Sequence, residues 1–130
     1  MTVTAYYLSV EEALELHRML IEQFGGSPGV RDLGLVESAI YRPQSGYYET
    51  LSIQAAALLQ SFAMNHAFID GNKRVAFAAA AVFLSVNGFR IEVSANTGES
   101  FIVRNVIQEK WDLKAIADWL EIHMRPRRGR

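Results

Sequence analysis

Leu14, Leu16, His17, Leu20, Ile21 and Phe24 recur at helical spacing between Ser9 and the Gly25-Gly26 pair, which predicts an amphipathic helix over this stretch. Ser9 is placed to cap it, Glu12 three residues on completes a capping box, and the two glycines stop it. Ser27-Pro28-Gly29-Val30-Arg31 reads as a loop leading into a short helix capped by Asp32, with Leu35, Val36, Ala39 and Ile40 inward and Pro43 at its end. Residues 44–50 are polar and aromatic, the composition of a loop or flap in which Tyr47 and Tyr48 either dock a target or face solvent. From Leu51 to His66 the chain is apolar nearly all round, with one thin polar stripe at Gln54, Ser61 and Asn65, so this helix is expected to be buried on most sides. A second such helix runs from about Gly71 to Asn87, with Gly88 as its left-handed C-terminal residue and an Ala78–Ala81 run that lets neighbours approach closely. Phe89, Ile91 and Val93 alternate with Arg90 and Glu92, predicting one short strand with residues near Tyr6–Leu8 as its pairing partner. Helices at about Thr97–Glu109 and Asp112–Met124, the last burying Ile116, Trp119, Leu120 and Trp111, complete a mainly α, compact helical bundle with a short β element.

Composition turns this into a single core. The chain has 130 residues, 50% of them hydrophobic and 11% aromatic, with a net charge of −1, which excludes bulk disorder and fits one domain. It contains no Cys, which removes disulfides, thiol nucleophiles and Cys-based metal centres and leaves His, Asp and Glu as metal ligands. The longest apolar run, Val75–Leu84, is far short of the ~20 residues that span a bilayer. No secretory pattern is visible at the start, so a cytoplasmic protein without membrane association is expected. Residues 125–130 hold four Arg and are expected to form a basic, disordered tail beyond a domain of residues 1–124. Those 124 residues carry nine Lys and Arg against fourteen Asp and Glu, a net charge of −5 that argues against direct DNA binding.

Ionisable and amide groups crowd in one place between the two most apolar helices, His66-Ala67-Phe68-Ile69-Asp70-Gly71-Asn72-Lys73-Arg74. A core helix delivers His66 at its end, and Phe68 and Ile69 are expected to anchor the connecting loop in apolar surroundings. Asp70, Gly71 and Asn72 then open the next helix, whose free N–H groups and dipole favour an anion. Lys73 and Arg74 oppose that dipole, and a bound phosphate chain explains their presence. Singly, His66 also reads as a satisfied, partly buried histidine, Asp70 as an N-cap and Asn72 as a turn residue. His66 and Asp70 also stand at i, i+4 as a two-ligand metal pair, but no third His or carboxylate lies nearby in sequence. His17 faces either the core or this site. The pattern G-x-x-x-x-G-K-[ST] is absent, which excludes a P-loop.

The His66–Arg74 segment resembles the signature of the Fic/Doc superfamily, and within it the Doc toxins of toxin–antitoxin modules. Tyr7–Glu12, Leu16-His17, Phe24–Asp32, Gly34–Ala39 and Asn87-Gly88 extend the likeness over most of the chain. The resemblance implies a compact Fic/Doc-like helical fold and transfer of part of ATP to a protein hydroxyl: Fic members move AMP, whereas Doc toxins phosphorylate a threonine of elongation factor Tu and halt translation. Carried over, His66 is the catalytic base, Asp70 binds Mg2+ on the nucleotide, and Gly71 (through its backbone), Asn72, Lys73 and Arg74 hold the phosphates. Lys73 stands where AMP-transferring members have a glycine and Phe77 where they have a second arginine, which favours the kinase over the alternative of AMP transfer. Ala67 replaces a usual proline, and Gly71 the alanine of some Doc proteins. No S/T-x-x-x-E-[GN] inhibitory pattern is present, so silencing is expected from a Phd-like antitoxin whose C-terminal segment folds into a groove. A non-catalytic binding module of the same fold is the remaining alternative.

Overall fold

A computed structural model describes residues 5–128 of the chain. Among the described residues, six α-helices and one small sheet follow in the order α1 (Val10–Phe24), α2 (Leu33–Tyr41), α3 (Leu51–Asn65), α4 (Asn72–Val86), β1 (Phe89–Ile91), α5 (Ala95–Ser100), α6 (Leu113–His123) and β2 (Met124–Pro126). The architecture is the expected mainly α bundle. The caps follow from sequence: Ser9 accepts from the Glu12 N–H while Glu12 reaches back to the Ser9 N–H, and Asp32, Thr50, Ser94 and Asp112 each accept from the N–H three residues on. Helix α3 is the hub, packed against α4 on one side and α6 on another, with Leu58, Leu59 and Phe62 meeting a core that includes Phe68, Val75, Phe83, Leu84, Ile116 and Leu120. Its polar stripe is spent on neighbours: Gln54 donates to the Tyr48 carbonyl, Ser61 accepts from Arg42, and Asn65 donates to the Leu35 carbonyl. No described helix is long and apolar enough to cross a membrane.

Three expectations are corrected. Strand β1 pairs antiparallel with β2, Phe89 opposite Pro126 and Ile91 opposite Met124, not with residues 6–8. The N-terminal segment is occupied elsewhere, because the Asn87 side chain both accepts from the Tyr6 N–H and donates to the Tyr6 carbonyl, and also donates to the Phe83 carbonyl. The boundary at residue 124 accordingly falls inside an element: Arg125 and Pro126 lie in β2, the Arg127 N–H reaches the Gly88 carbonyl, and residues 129 and 130 lie outside the described residues. The helix expected from Thr97 begins at Ala95 and widens into a π-helical stretch over Phe101–Gln108. There Phe101 and Val106, and Ile102 and Ile107, stand five apart, the spacing of an i→i+5 ladder rather than of an α-helix. Gly98 brings the start of this segment close to Phe77, where a Cβ would come 3.0 Å from Cζ.

The flap region resolves into a 3-10 turn at Arg42–Gln44 and a loop in which Tyr48 is half-buried and its hydroxyl accepts from the Arg42 Nε, while Tyr47 is exposed. Trp119 stacks on Phe101 at 3.8 Å and Trp111 meets the same ring edge-on at 5.9 Å. Replacing Asn87 by Leu removes three hydrogen bonds and leaves backbone groups of residues 6 and 83 to find other partners. The expected loss is about 1–3 kcal/mol in urea unfolding, with faster amide exchange at Tyr6; wild-type exchange there is the contrary result.

Candidate active site

The six residues between α3 and α4 form a tightly bonded loop. Helix α3 ends at Asn65, and His66 takes the left-handed conformation, φ 53° and ψ 46°, which a non-glycine residue adopts only when its surroundings hold it there. Those surroundings are identifiable. Arg31 donates to the carbonyls of both Asn65 and His66, the Asn65 side chain accepts from the Ala67 N–H, and the Ala67 carbonyl accepts from the N–H groups of Arg31 and Asp32. Ile69 N–H then bonds to the Gly29 carbonyl, so residues 29–32 run beside 67–69 as a strand-like brace. The His66 side chain is exposed rather than partly buried, and among the described residues its imidazole makes no hydrogen bond.

Phe68 anchors the loop as expected, fully buried against Phe62 and His17. Ile69 does not: it is 58% exposed and lies over Gly29, where a Cβ would come 2.9 Å from its Cδ1. Asn72 turns its side chain back on the loop, accepting from the Phe68 N–H at 3.0 Å and donating to the Phe68 carbonyl at 2.9 Å. Its amide is thus engaged by main chain, and what residue 72 presents outward is its own N–H.

Asp70 is not the N-cap of α4. That position belongs to Gly71, whose φ of 80° suits glycine and whose missing Cβ leaves room for Ile21 Cδ1, 3.2 Å from where that atom would stand. The Asp70 carboxylate instead accepts from the Ser27 N–H at 3.1 Å and the Gly71 N–H at 2.8 Å. These two donors, aided by Arg74 and His17, hold its pKa below the usual carboxylate value, so it is ionised. Gly26 must be glycine for the same reason, because a Cβ there would stand 2.8 Å from Asp70 Oδ2. The first turn of α4 leaves the N–H groups of Asn72, Lys73 and Arg74 without intrahelical partners. Lys73 and Arg74 are exposed there, with the Arg74 guanidinium 4.7 Å above the Phe24 ring.

His66 and residues 69–74 line one cleft of about 510 Å³, closed on the far side by Glu99, Ile107 and Lys110. A second cavity of about 400 Å³ shares Lys73, Arg74 and Glu99 and is floored by Leu20, Phe24 and Phe77. Sequence reasoning missed Ser27, Arg31, Glu99 and Lys110. For Ser27 and Arg31 a signal existed in the Gly25–Arg31 turn, rich in residues that bring backbone close to other groups; Glu99 and Lys110 come from a distant helix and carry no local signal. Lys110 also has a left-handed φ of 53°, at the turn between the π-helical stretch and α6. His66 and Asp70 gain no third ligand, as no group of three His, Asp or Glu side chains converges among the described residues. A lone ionised carboxylate beside free N–H groups fits a magnesium ion carried on nucleotide phosphates, not an all-protein metal cage.

Similarity to known proteins extends over most of the chain. A model of the Fic/DOC family matches residues 7–84. Toxin Doc of Mycolicibacterium smegmatis (strain ATCC 700084 / mc(2)155) is 43% identical over 100 residues, covering 72% of this chain and 77% of that protein. Protein kinase doc of Escherichia phage P1 is 36% identical over 106 residues, covering 72% of this chain and 84% of that protein.

Because the folded Asp70 has a lowered pKa, it contributes stability that is fully present above the unfolded-state value of about 3.9 and is lost as pH falls through the folded value. Asp70→Asn is therefore expected to melt below wild type at neutral pH, with the gap closing as the pH is taken down through that range. A gap that persists unchanged at the lowest pH would show that the carboxylate charge is not what the Ser27 and Gly71 donors hold.

Proposed function

The chain belongs to the Fic/DOC family, as a Doc toxin, and from that premise we propose that it transfers the terminal phosphate of ATP to a threonine hydroxyl of elongation factor Tu and so blocks translation. The observation that carries this reading is that an unengaged imidazole, an ionised carboxylate and three free helix N–H groups share one cleft. Phosphoryl transfer asks for that set: positioning, charge neutralisation and a base near the acceptor.

In this reading the acceptor oxygen bonds to the terminal phosphorus as that phosphorus parts from the bridging oxygen, and a nucleoside diphosphate leaves. His66 takes the hydroxyl proton. The N–H groups of Asn72, Lys73 and Arg74, with the Lys73 and Arg74 side chains, hold the phosphate oxygens, and Gly71 lets the backbone come close. Asp70 is the residue that would hold a magnesium ion carried with the nucleotide, which would supply neutralising charge beside those oxygens. The Asn72 side chain acts indirectly, by fixing the loop through Phe68. The preference for phosphate over AMP transfer rests on Lys73 and Phe77: the second cavity has Phe77 packed on Gly98 where a second arginine would otherwise receive outgoing phosphates.

An antitoxin is the natural silencing partner. Helices α1 and α4 and the N-terminal segment enclose an apolar groove of about 770 Å³, lined by Tyr7, Leu8, Leu16, Met19, Val82 and Val86 and rimmed by Glu11, Glu12 and Glu15. An amphipathic helix folded from a Phd-like antitoxin's C-terminal segment suits such a groove.

Intact-mass measurement of elongation factor Tu after incubation with MgATP tests the chemistry: the increment of one phosphate is expected, and His66→Ala is expected to slow it by about 10²–10⁴-fold while melting like wild type. A nucleotide-sized increment would move the assignment to AMP transfer, and no increment under any condition would favour a binding module. The partner is tested by thermal melting, where excess cognate antitoxin should raise Tm by mass action and Met19→Glu should abolish the rise; equal rises in both proteins would remove this groove from the interface.

A further inference from the structure

His17 is a buried ionisable side chain, 4% exposed, that the chemistry above does not use. Its Nε2 donates to the Asp70 carbonyl at 2.8 Å, across 53 residues of sequence. The ring is held flat on Phe68, centroids 4.0 Å apart and planes 9° from parallel, and Phe68 is itself fixed by its two hydrogen bonds to Asn72. The imidazole therefore has a set plane and a set target. Close packing continues to Gly71, where a Cβ would stand 3.7 Å from the His17 ring.

We propose that His17 is a positioning residue for Asp70, holding the 70–71 peptide so that the Asp70 carboxylate is presented for a nucleotide-bound magnesium ion; this rests on the assignment of magnesium to Asp70 made above. The link is the planarity of that peptide. In a trans peptide the C=O and the following N–H point in opposite directions. Drawing the Asp70 carbonyl to His17 turns the Gly71 N–H the other way, toward Asp70 Oδ1, to which it bonds at 2.8 Å. The Ser27 N–H takes the other oxygen, so the carboxylate is held by two main-chain donors, one of them oriented by His17. A histidine that merely filled the core would need no donor at this position, and the two roles separate on substitution.

His17→Phe keeps a flat ring against Phe68 and loses the donor; His17→Gln restores a donor at similar reach. Calorimetric titration of the free protein with MgATP, and with ATP in chelator, is combined with amide exchange at Gly71. His17→Phe is expected to weaken MgATP binding by roughly 10–100-fold, the usual loss when a residue supporting a metal ligand is removed. ATP binding in chelator should stay unchanged, Gly71 exchange should accelerate, and His17→Gln should recover both MgATP affinity and protection. His17→Met, an apolar filler without a donor, replaces the Phe variant if that one does not fold. A folded donor-less variant with wild-type MgATP affinity and Gly71 protection overturns the proposal, as does a folded Gln variant that recovers neither. Asp70→Asn measured alongside separates the two assignments: wild-type MgATP affinity there removes magnesium from Asp70 itself, whereas weakened binding there with none in His17→Phe removes only the role of His17.

Discussion

Joining two core helices by a short loop creates a problem of backbone hydrogen bonding, and its solution organises the rest of this molecule. Residues 66–71 lie between α3 and α4, with Ala67 and Phe68 fully buried, where unpaired N–H and C=O groups are costly. Each is met by a specific partner: the Ala67 N–H by Asn65, its carbonyl by two N–H groups of the 29–32 brace, both polar groups of Phe68 by the Asn72 amide, and the Asp70 carbonyl by His17. Residues that look chemically active are thereby divided into those that hold the loop and those that it presents. Asn72 and His17 hold it; His66 and Asp70 are exposed on it, and Lys73 and Arg74 on the first turn of the helix that follows.

Electrostatics point the same way. Positive side chains in the first turn of a helix work against its dipole, and in a purely structural design acidic residues would stand there. Here the first turn of α4 carries Lys73 and Arg74 and no acid, while α1 carries Glu11 and Glu12 in its own first turn. The Arg74 guanidinium rests over Phe24 and forms no ion pair among the described residues, so its charge remains available to the cleft. The Asp70 carboxylate is kept ionised beside these cations by main-chain donors, which leaves the Lys73 and Arg74 side chains uncommitted to it.

Local signals in the sequence carried far, and the limits have physical causes. Caps and periodicity located α1, α2, α3, α4 and α6 because Ser9, Asp32, Gly25 and Gly88 act within a few residues of themselves. The partner of β1 is not legible locally since strand pairing is a long-range choice: β1 pairs with residues 124–126, while Tyr6 is engaged by the Asn87 side chain. The π-helical widening escaped because apolar positions five apart also fit a loosely patterned α-helix. Within the site, the signature loop was legible as one cluster, and His66, Asp70, Gly71, Lys73 and Arg74 do line one cleft. The side-chain role of Asn72 was not legible, because an amide that grips main chain and one that grips a ligand look alike in sequence.

Helix α1 shows why a hydrophobic stripe is an incomplete description of a buried face. Counted by periodicity, His17 falls among Leu14, Leu20 and Ile21 as one more inward residue, and it is indeed the most buried ionisable side chain of that helix. An apolar residue of similar size would satisfy the packing against Phe68 and leave the Asp70 carbonyl without its donor. The outward rows of the same helix, Leu16 and Met19, line the apolar groove, while Ile21 and Phe24 reach Gly71 and Arg74. One helix thus supports the loop from within and forms a wall of the groove from without. The polar atom in its apolar stripe marks where packing alone does not define the geometry of the loop.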